Sequence, residues 1–289
     1  MNKKNNGMSA GRRFWNALIP ALVWIAAIFA LVLTLGIILL VLSKGLPNLS
    51  WSLLTSVPSV IRGIDGILPY LVNTLYIILL SLVIALPLGV GAAVYLTEYA
   101  TNKKLIEVIE FTTETLAGIP SIIYGLVGML VFCNALKFQS SLFSGSLTLV
   151  IMTLPTIIRT TQESLKTVPQ NYREGAIGLG ATKWHIVRTI VMPCSIDGIV
   201  TGCILAVGRI VGESAALLFT AGGGDKLLTN IRTAYTRSGA SLSVGLYIMA
   251  CERGNFDVAW AIGAVLLVLV LCINLLAKLA QKKLKRKDA

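Results

Sequence analysis

Apolar runs long enough to cross a bilayer recur along this chain and limit it to a helical membrane fold. A transmembrane helix needs about 20 mostly apolar residues. Charged residues make up only 13% of the 289 residues, against about 25% in ordinary soluble domains, and the mean hydropathy is +0.80. We therefore predict an all-α membrane protein with six transmembrane helices. The predicted spans are about 19–42, 68–96, 116–136, 142–160, 195–221 and 257–280.

The formal net charge of +12 follows from basic residues that are sorted between the two sides of the membrane. Six spans place both termini on the same side. If that side is the cytoplasm, the inner segments hold 17 Lys and Arg residues, the outer segments hold 7, and Arg209 lies within a span. Multi-pass proteins carry their excess of Lys and Arg on the cytoplasmic side. We predict a multi-pass protein of the cell membrane with cytoplasmic termini, and no binding of nucleic acid.

Cysteine and histidine patterns do not indicate a metal site or a bound cofactor. The five cysteines are scattered without a CxxC pair, and His185 is the only histidine. The chain also lacks the GxxxxGK[ST] pattern of a P-loop. Any step driven by ATP would therefore depend on another polypeptide.

Two charged residues interrupt the fifth predicted span, Arg209 and Glu213. A charge at membrane depth costs at least about 2.5–3.5 kcal/mol, so it usually faces a pathway or a partner. Residues four apart share a helix face, and Gly208 and Gly212 give the spacing that lets helices approach closely. We consider two interpretations, a functional pair in a narrow path or interface and an internal ion pair that only neutralises itself.

Arg159 lies at the inner end of the fourth predicted span, one turn after Pro155. A basic side chain at this position can contact a substrate at an inner gate. It can also extend to the membrane interface while its aliphatic part stays among apolar groups. The sequence leaves both interpretations open.

The longest inner loop, predicted at 160–193, is too polar to span the membrane and too apolar to be a disordered linker. Helical spacing over 172–179 is followed by Gly180, which can take the left-handed conformation that ends a helix. Thr182 can cap a second helix that we expect to end at Pro193. This pattern fits two short helices at an angle or one helix lying on the lipid surface.

The same loop carries the spacing EAA-x3-G-x9-I-x-LP, with Gly175 in place of alanine and Met192 in place of leucine. This pattern resembles the EAA loop of ABC importer permeases. In that family the loop forms a coupling helix that docks in a groove of a cytoplasmic ATPase. The resemblance implies an ATPase-coupling role for Glu174, Gly175, Ala176, Gly180, Ile190 and Pro193.

Four further stretches make the resemblance more specific. They are LPLGVGAAVYLTEYA at 86–100, LAGIPSIIYGLVG at 116–128, TLPTIIRTTQESLKTVP at 153–169 and GRIVGESAALLFTAG at 208–222. Together they resemble the PstA-type permease subunits of ABC phosphate importers. The resemblance implies the type I importer permease fold and a non-catalytic subunit that forms half of a translocation path.

The resemblance also implies substrate and partners. Arg209 would give a transient counter-charge to phosphate, because guanidinium suits oxyanions, with Glu213 and Arg159 also on the substrate pathway. The partners would be a PstC-type permease, two PstB-type ATPases that bind ATP and magnesium, and an extracytoplasmic phosphate-binding protein. We divide the chain into 1–67, 68–280 and 281–289: a basic tail with the first helix and an outer loop, the permease core, and a basic cytoplasmic tail.

Two alternatives remain at this point. Another ABC permease, with a different oxyanion as cargo, would carry the same Arg209. A secondary transporter driven by protons or sodium would use Glu213 as the titrating group, but such folds often contain internal repeats, which this sequence does not obviously show.

Overall fold

The chain folds into a bundle of helices that follows its apolar runs. A computed structural model describes residues 10–59, 64–227, 230, 233 and 236–285. Helices α1 to α6 are Ala10–Gly45, Trp51–Thr55, Leu68–Val94, Lys103–Ala117, Ser121–Gly128 and Leu142–Thr167. Helices α7 to α13 are Gln170–Gly178, Lys183–Ile186, Met192–Cys194, Ile196–Gly212, Ala215–Thr220, Leu242–Tyr247 and Phe256–Lys285. Turns of π-helix continue α3, α5, α8 and α12 at Tyr95–Tyr99, Met129–Ala135, Val187–Val191 and Ile248–Glu252.

Four helical segments are long and apolar enough to cross a membrane. They are Phe14–Asn48, Leu68–Tyr99, Leu142–Thr167 and Phe256–Leu279. Two bent pairs of helices pass the same test, Lys103–Ala117 with Ser121–Ala135 and Lys183–Cys194 with Ile196–Gly212. Counting each pair as one span gives six within the described residues, as predicted. The β pairing in this part of the chain is one isolated bridge, between Ser59 and Ile64, so the all-α prediction is confirmed.

The third span is bent where the prediction had it continuous over 116–136. Asn102 caps α4, because its Oδ1 accepts the amide hydrogens of Lys104 and Leu105 at 3.1 and 3.4 Å. The chain then turns by 100° between α4 and α5. Pro120 precedes α5 and has no amide hydrogen to continue the preceding helix. The apolar part of this span is therefore 121–135.

The inner loop is shorter than predicted because α6 continues to Thr167. It occupies 168–195 between α6 and α10. Its second helix does not end at Pro193, which lies in the first turn of α9, where a missing amide hydrogen costs little. The helical path instead bends by 65° at Ser195 before α10.

Helix α6 lies at the centre of the bundle and contacts both α3 and α10. Glycine allows this close packing. A Cβ at Gly89 of α3 would lie 2.6 Å from Cγ2 of Ile157, and one at Gly202 of α10 would collide with the Thr160 hydroxyl. The largest fully buried side chains around this centre include Tyr70, Ile77, Leu149, Met152, Ile210 and Leu217.

The first and last long helices pack together at the edge of the bundle. A Cβ at Gly45 of α1 would lie 2.7 Å from Cβ of Ala264 in α13, and one at Gly263 would lie 3.3 Å from Val41. Among the residues that the structure describes, no part of the most apolar 18-residue stretch of α1 is buried. Such a surface is suited to contact with lipid.

Candidate functional site

The fifth predicted span is not one helix, and this changes the relation between its two charged residues. Helix α10 ends at Gly212, and Glu213 is extended, with φ −79° and ψ 121°. Its Oε1 accepts the amide hydrogen of Ala216 at 3.0 Å, and its carbonyl accepts a hydrogen bond from Ser243 Oγ at 2.6 Å. The prediction that Glu213 shares a helix face with Arg209 is wrong, because Glu213 instead satisfies a free amide at the start of α11.

Arg209 lies in the last turn of α10 and is half-buried. Within the described part of the chain, ion pairs join four other basic residues to carboxylates, and Arg209 forms none of them. The self-neutralising pair with Glu213 is therefore not formed, and the guanidinium is available to a group outside the chain.

One side of α10 beside Arg209 is not covered by any other described part of the chain. Thr201, Leu205, Gly208 and Gly212 follow the spacing of one helix face, which we name the bare face of α10. A Cβ built on Gly208 or Gly212 meets nothing within 4 Å, whereas Gly202 packs tightly against α6. A second helix can therefore approach the backbone of α10 closely next to Arg209.

Arg159 faces a polar cavity between α4 and α6. Its Nε lies 3.1 Å from Oε1 of Glu163, and its Nη1 lies 3.6 Å from Oε1 of Glu114. The cavity has a volume of about 360 Å³ and is also lined by Glu110 and Lys166, which pair at 3.5 Å. The carboxylates of Glu114 and Glu163 balance the charge of Arg159. The Arg159 side chain is 64% exposed, so the cavity is open to solvent.

The inner loop contains two helices, which decides between the two interpretations of its sequence. Helix α7 ends at Gly178, and Gly180 has a φ of +81°, the left-handed conformation predicted for it. The Thr182 side chain accepts the amide hydrogen of His185 at 3.4 Å and caps α8 as predicted. The alternative of a single helix on the lipid surface is wrong.

A small hydrophobic cluster holds these two helices against the inner ends of α3 and α6. We name it the loop core, and its buried members are Ala93, Leu165, Val168, Ala176, Ile186 and Val191. Ile190 packs against it. Ala176 and Ile190 thus build the fold of the loop, and Gly180 makes its turn.

Apart from Arg173 and Ala176, the residues of α7 are exposed, and Glu174 and Gly175 are among them. A Cβ at Gly175 would meet nothing within 4 Å among the described residues. Tyr172 and Ile177, and Leu179 just after the helix, expose 55, 61 and 91% of their surface. Exposed apolar side chains rimmed by polar groups indicate a protein interaction site. This face of the loop is suited to docking of another subunit.

Two residues that hold α7 in place, Arg173 and Glu98, are not identified by local sequence patterns. Their side chains form an ion pair at 2.8 Å and are only 14% and 9% exposed. Arg173 was counted only as one of many inner basic residues, and Glu98 lies 75 positions away at the end of α3. Helical periodicity carries no signal for a contact at this separation.

Comparison with known proteins identifies the family. The model of the "Binding-protein-dependent transport system inner membrane component" matches residues 85–287. The "Phosphate transport system permease protein PstA" of Haemophilus influenzae is 33% identical over 238 residues, covering 82% of this chain and 83% of that protein. The protein of the same name from Yersinia pestis is 35% identical over 250 residues, covering 84% and 81%.

A further relative is similar over a shorter segment. The "Probable ABC transporter permease protein YqgI" of Bacillus subtilis is 40% identical over 178 residues, which cover 62% of this chain and 60% of that protein. Its name does not state a cargo.

Solved structures with low sequence identity share the fold. A bacterial alginate ABC transporter chain superposes with a TM-score of 0.68 at 18% identity, covering 95% of this chain and 96% of that one. A chain of the MetNI methionine ABC transporter gives a TM-score of 0.55 at 20% identity, covering 83% and 97%. The type I importer permease fold is thereby confirmed.

These similarities overturn the alternative of an ion-driven secondary transporter. They describe a multi-pass inner-membrane subunit that is not itself catalytic and that works with a separate ATPase and a substrate-binding protein. With its helices, its EAA-like loop and its match over residues 85–287, the chain belongs to the inner-membrane permease family of binding-protein-dependent ABC transport systems.

Proposed function

We propose that this chain is the PstA-type permease subunit of an ATP-driven importer of inorganic phosphate. Relatives named as phosphate permeases match more than four-fifths of its length at 33–35% identity. The chain would form half of the translocation path and leave ATP hydrolysis to its partner. Both termini would lie in the cytoplasm, in agreement with the excess of Lys and Arg in the inner segments.

The observation that carries the proposal is the half-buried Arg209 without a carboxylate partner among the described residues. A planar guanidinium can bind two oxygens of phosphate at once. Because no permanent counter-ion holds this side chain, a passing anion need not displace one. Arg209 would therefore bind phosphate transiently within the membrane.

Glu213 and Arg159 would act at other points of the same path. Glu213 commits its Oε1 to the amide of Ala216, which leaves Oε2 to accept a hydrogen bond from a protonated phosphate oxygen. Sulfate lacks that proton and would be disfavoured. Arg159 would contact phosphate in the polar cavity beside α4. There Glu114 and Glu163 would compete with phosphate for the Arg159 guanidinium and so favour release of the phosphate.

The partners follow from the two uncovered surfaces. A PstC-type permease would pack on the bare face of α10, so that the two subunits enclose the path. Two PstB-type ATPases, carrying ATP and magnesium, would serve the pair, one of them docking on Glu174, Gly175 and the exposed apolar side chains of α7. An extracytoplasmic phosphate-binding protein would deliver the substrate. Ala176, Gly180, Ile190 and Pro193 would support this docking by shaping the loop.

The test is uptake of labelled phosphate into proteoliposomes that hold this chain with its co-purified partners, with binding protein outside and ATP inside. We expect ATP-dependent uptake that a large excess of sulfate does not inhibit. Omitting ATP or the binding protein provides the controls.

A different oxyanion is the alternative cargo, because a guanidinium binds oxyanions in general. Arg209 would serve another oxyanion equally well. ATP hydrolysis that is stimulated by a binding protein for a different anion, without phosphate uptake, would replace phosphate as the cargo.

A further inference from the structure

Arg173 joins the inner loop to the end of α3 through a shielded ion pair. Its Nη2 lies 2.8 Å and its Nε 3.2 Å from the same oxygen, Oε1 of Glu98. The two side chains are 14% and 9% exposed. A hydrogen-bonded ion pair excluded from water holds its partners in a defined geometry far better than an exposed pair.

The same guanidinium also binds the end of α6. Nη1 donates to the carbonyl of Val168 at 2.6 Å, and Nη2 donates to the carbonyl of Leu165 at 3.0 Å. Carbonyl groups in the last turn of a helix have no partner within that helix. The Leu165 carbonyl accepts the Val168 amide hydrogen at 3.3 Å as well as Arg173, and Val168 is the residue that follows α6. One side chain of α7 therefore contacts both α3 and the end of α6.

A second contact connects the end of α3 to the other helix of the loop. Glu98 and Tyr99 lie in the π-helical turn that ends α3. The Nζ of Lys183, at the start of α8, lies 5.2 Å from the centre of the Tyr99 ring. Such π-helical turns are frequent at functional sites. This turn therefore contacts α7 through Glu98 and α8 through Tyr99.

We propose that the Arg173–Glu98 pair is the link that transmits movement between the ATPase-docking loop and the helices α3 and α6. This inference rests on the coupling role of the inner loop in the proposed function. Glu174 and Gly175 face outward toward the docking partner, whereas Arg173 of the same helix faces inward. A displacement of α7 would thus reach α3 through Glu98 and α6 through the carbonyls at its C-terminal end. Arg173 and Glu98 would act as positioning residues, through their contacts with these helices.

Two substitutions separate this role from a general effect on the loop. Arg173→Lys keeps the positive charge, but a single ammonium cannot reproduce the fork that reaches three acceptors. Glu98→Gln keeps the shape and a carbonyl oxygen but removes the negative charge. The loop core and the turn at Gly180 are unchanged in both variants. Arg188→Gln is the matched control, because Arg188 is an exposed basic residue of the same loop.

The experiment measures ATP hydrolysis by the reconstituted complex with and without its binding protein, together with the amount of ATPase subunit that co-purifies. We expect both variants to retain the ATPase subunits and the unstimulated hydrolysis. Stimulation by the binding protein should fall by about tenfold, because the signal from the outer side must pass through α3 and α6. Arg188→Gln should be stimulated like the wild type.

Stimulation equal to that of the wild type in both variants would overturn the inference. Loss of stimulation only in proportion to loss of the ATPase subunits would overturn it too, because it would indicate a purely structural pair. The stimulation ratio does not depend on which anion is transported. If the binding protein stimulates ATP hydrolysis by the wild-type complex but no phosphate is taken up, phosphate is excluded as the cargo. The stimulation ratio would still test the role of Arg173 and Glu98.

Discussion

Arg209 owes its suitability for anion transfer to where α10 ends. Had the helix continued, Glu213 would lie one turn away on the same face and could neutralise it. The helix stops at Gly212 instead, and the Glu213 carboxylate is used by the amide of Ala216. A charge kept without a fixed counter-ion is costly at membrane depth, which supports a role in transport over a role in stability.

Replacing Arg209 tests this role. Arg209→Gln removes the charge and the paired donors, so phosphate uptake should fall between roughly tenfold and a hundredfold. Uptake into proteoliposomes measures the effect, and co-purification of the partners checks assembly. Arg209→Lys should recover only part of the activity if the fork geometry matters. Uptake at the wild-type level in Arg209→Gln would exclude Arg209 from the path.

The inner loop depends on one residue with a left-handed backbone. Gly180 turns the chain between α7 and α8 with φ +81°, while Gly178, two residues earlier, lies within α7. Neither glycine has a neighbour within 4 Å of an added Cβ. The two positions therefore differ in backbone conformation and not in available space.

This pair gives a controlled prediction. Gly180→Ala should cost about 1–2 kcal/mol at the turn, since an L side chain is strained there, and should reduce ATPase co-purification. Gly178→Ala should be neutral or stabilising by up to about 1 kcal/mol, because alanine favours a helix. Pull-down of the ATPase by each variant measures the difference. Equal binding by both variants would contradict a requirement for this turn.

Local sequence signals predicted much of this fold, and contacts between distant residues account for the rest. The lengths of the apolar runs predicted the membrane spans. Gly180 predicted the turn after α7, and Thr182 predicted the N-terminal cap of α8. The break after Gly212 was missed because Glu213 is held by Ser243, 30 residues away. Arg209 could be identified from the sequence because it is a charge within an apolar span, and Glu174 because it begins the EAA-like motif. Arg173 could not, because its role depends on its contact with Glu98, which is distant in sequence.

At the scale of the whole molecule, the bare face of α10 is left for a neighbour in the membrane. Of the four glycines of α10, Gly198 and Gly202 pack against α6, whereas an added Cβ at Gly208 or Gly212 meets no described residue within 4 Å. Tight packing at small residues is a main source of helix association in lipid. The glycines that face α6 therefore serve packing within the chain, whereas Gly208 and Gly212 are free to pack against a second subunit.

Larger side chains at these positions should have different effects. Gly208→Leu should leave the fold of the chain intact but block the second permease, because only the bare face gains volume. Gly202→Leu should destabilise the chain itself by about 1–3 kcal/mol or more, since it overpacks the contact with α6. Thermal stability of the purified chain and co-purification of the second permease distinguish the two. Normal pairing of Gly208→Leu would place the interface elsewhere.

The contact between α1 and α13 has a consequence for biosynthesis. Helix α1 leaves the ribosome well before α13, which is more than 200 residues further along the chain. Gly45 cannot pack against Ala264 until α13 has been synthesised. During insertion α1 must therefore be stable in lipid alone, which its uninterrupted apolar sequence allows. Removal of α13 would leave α1 without this contact.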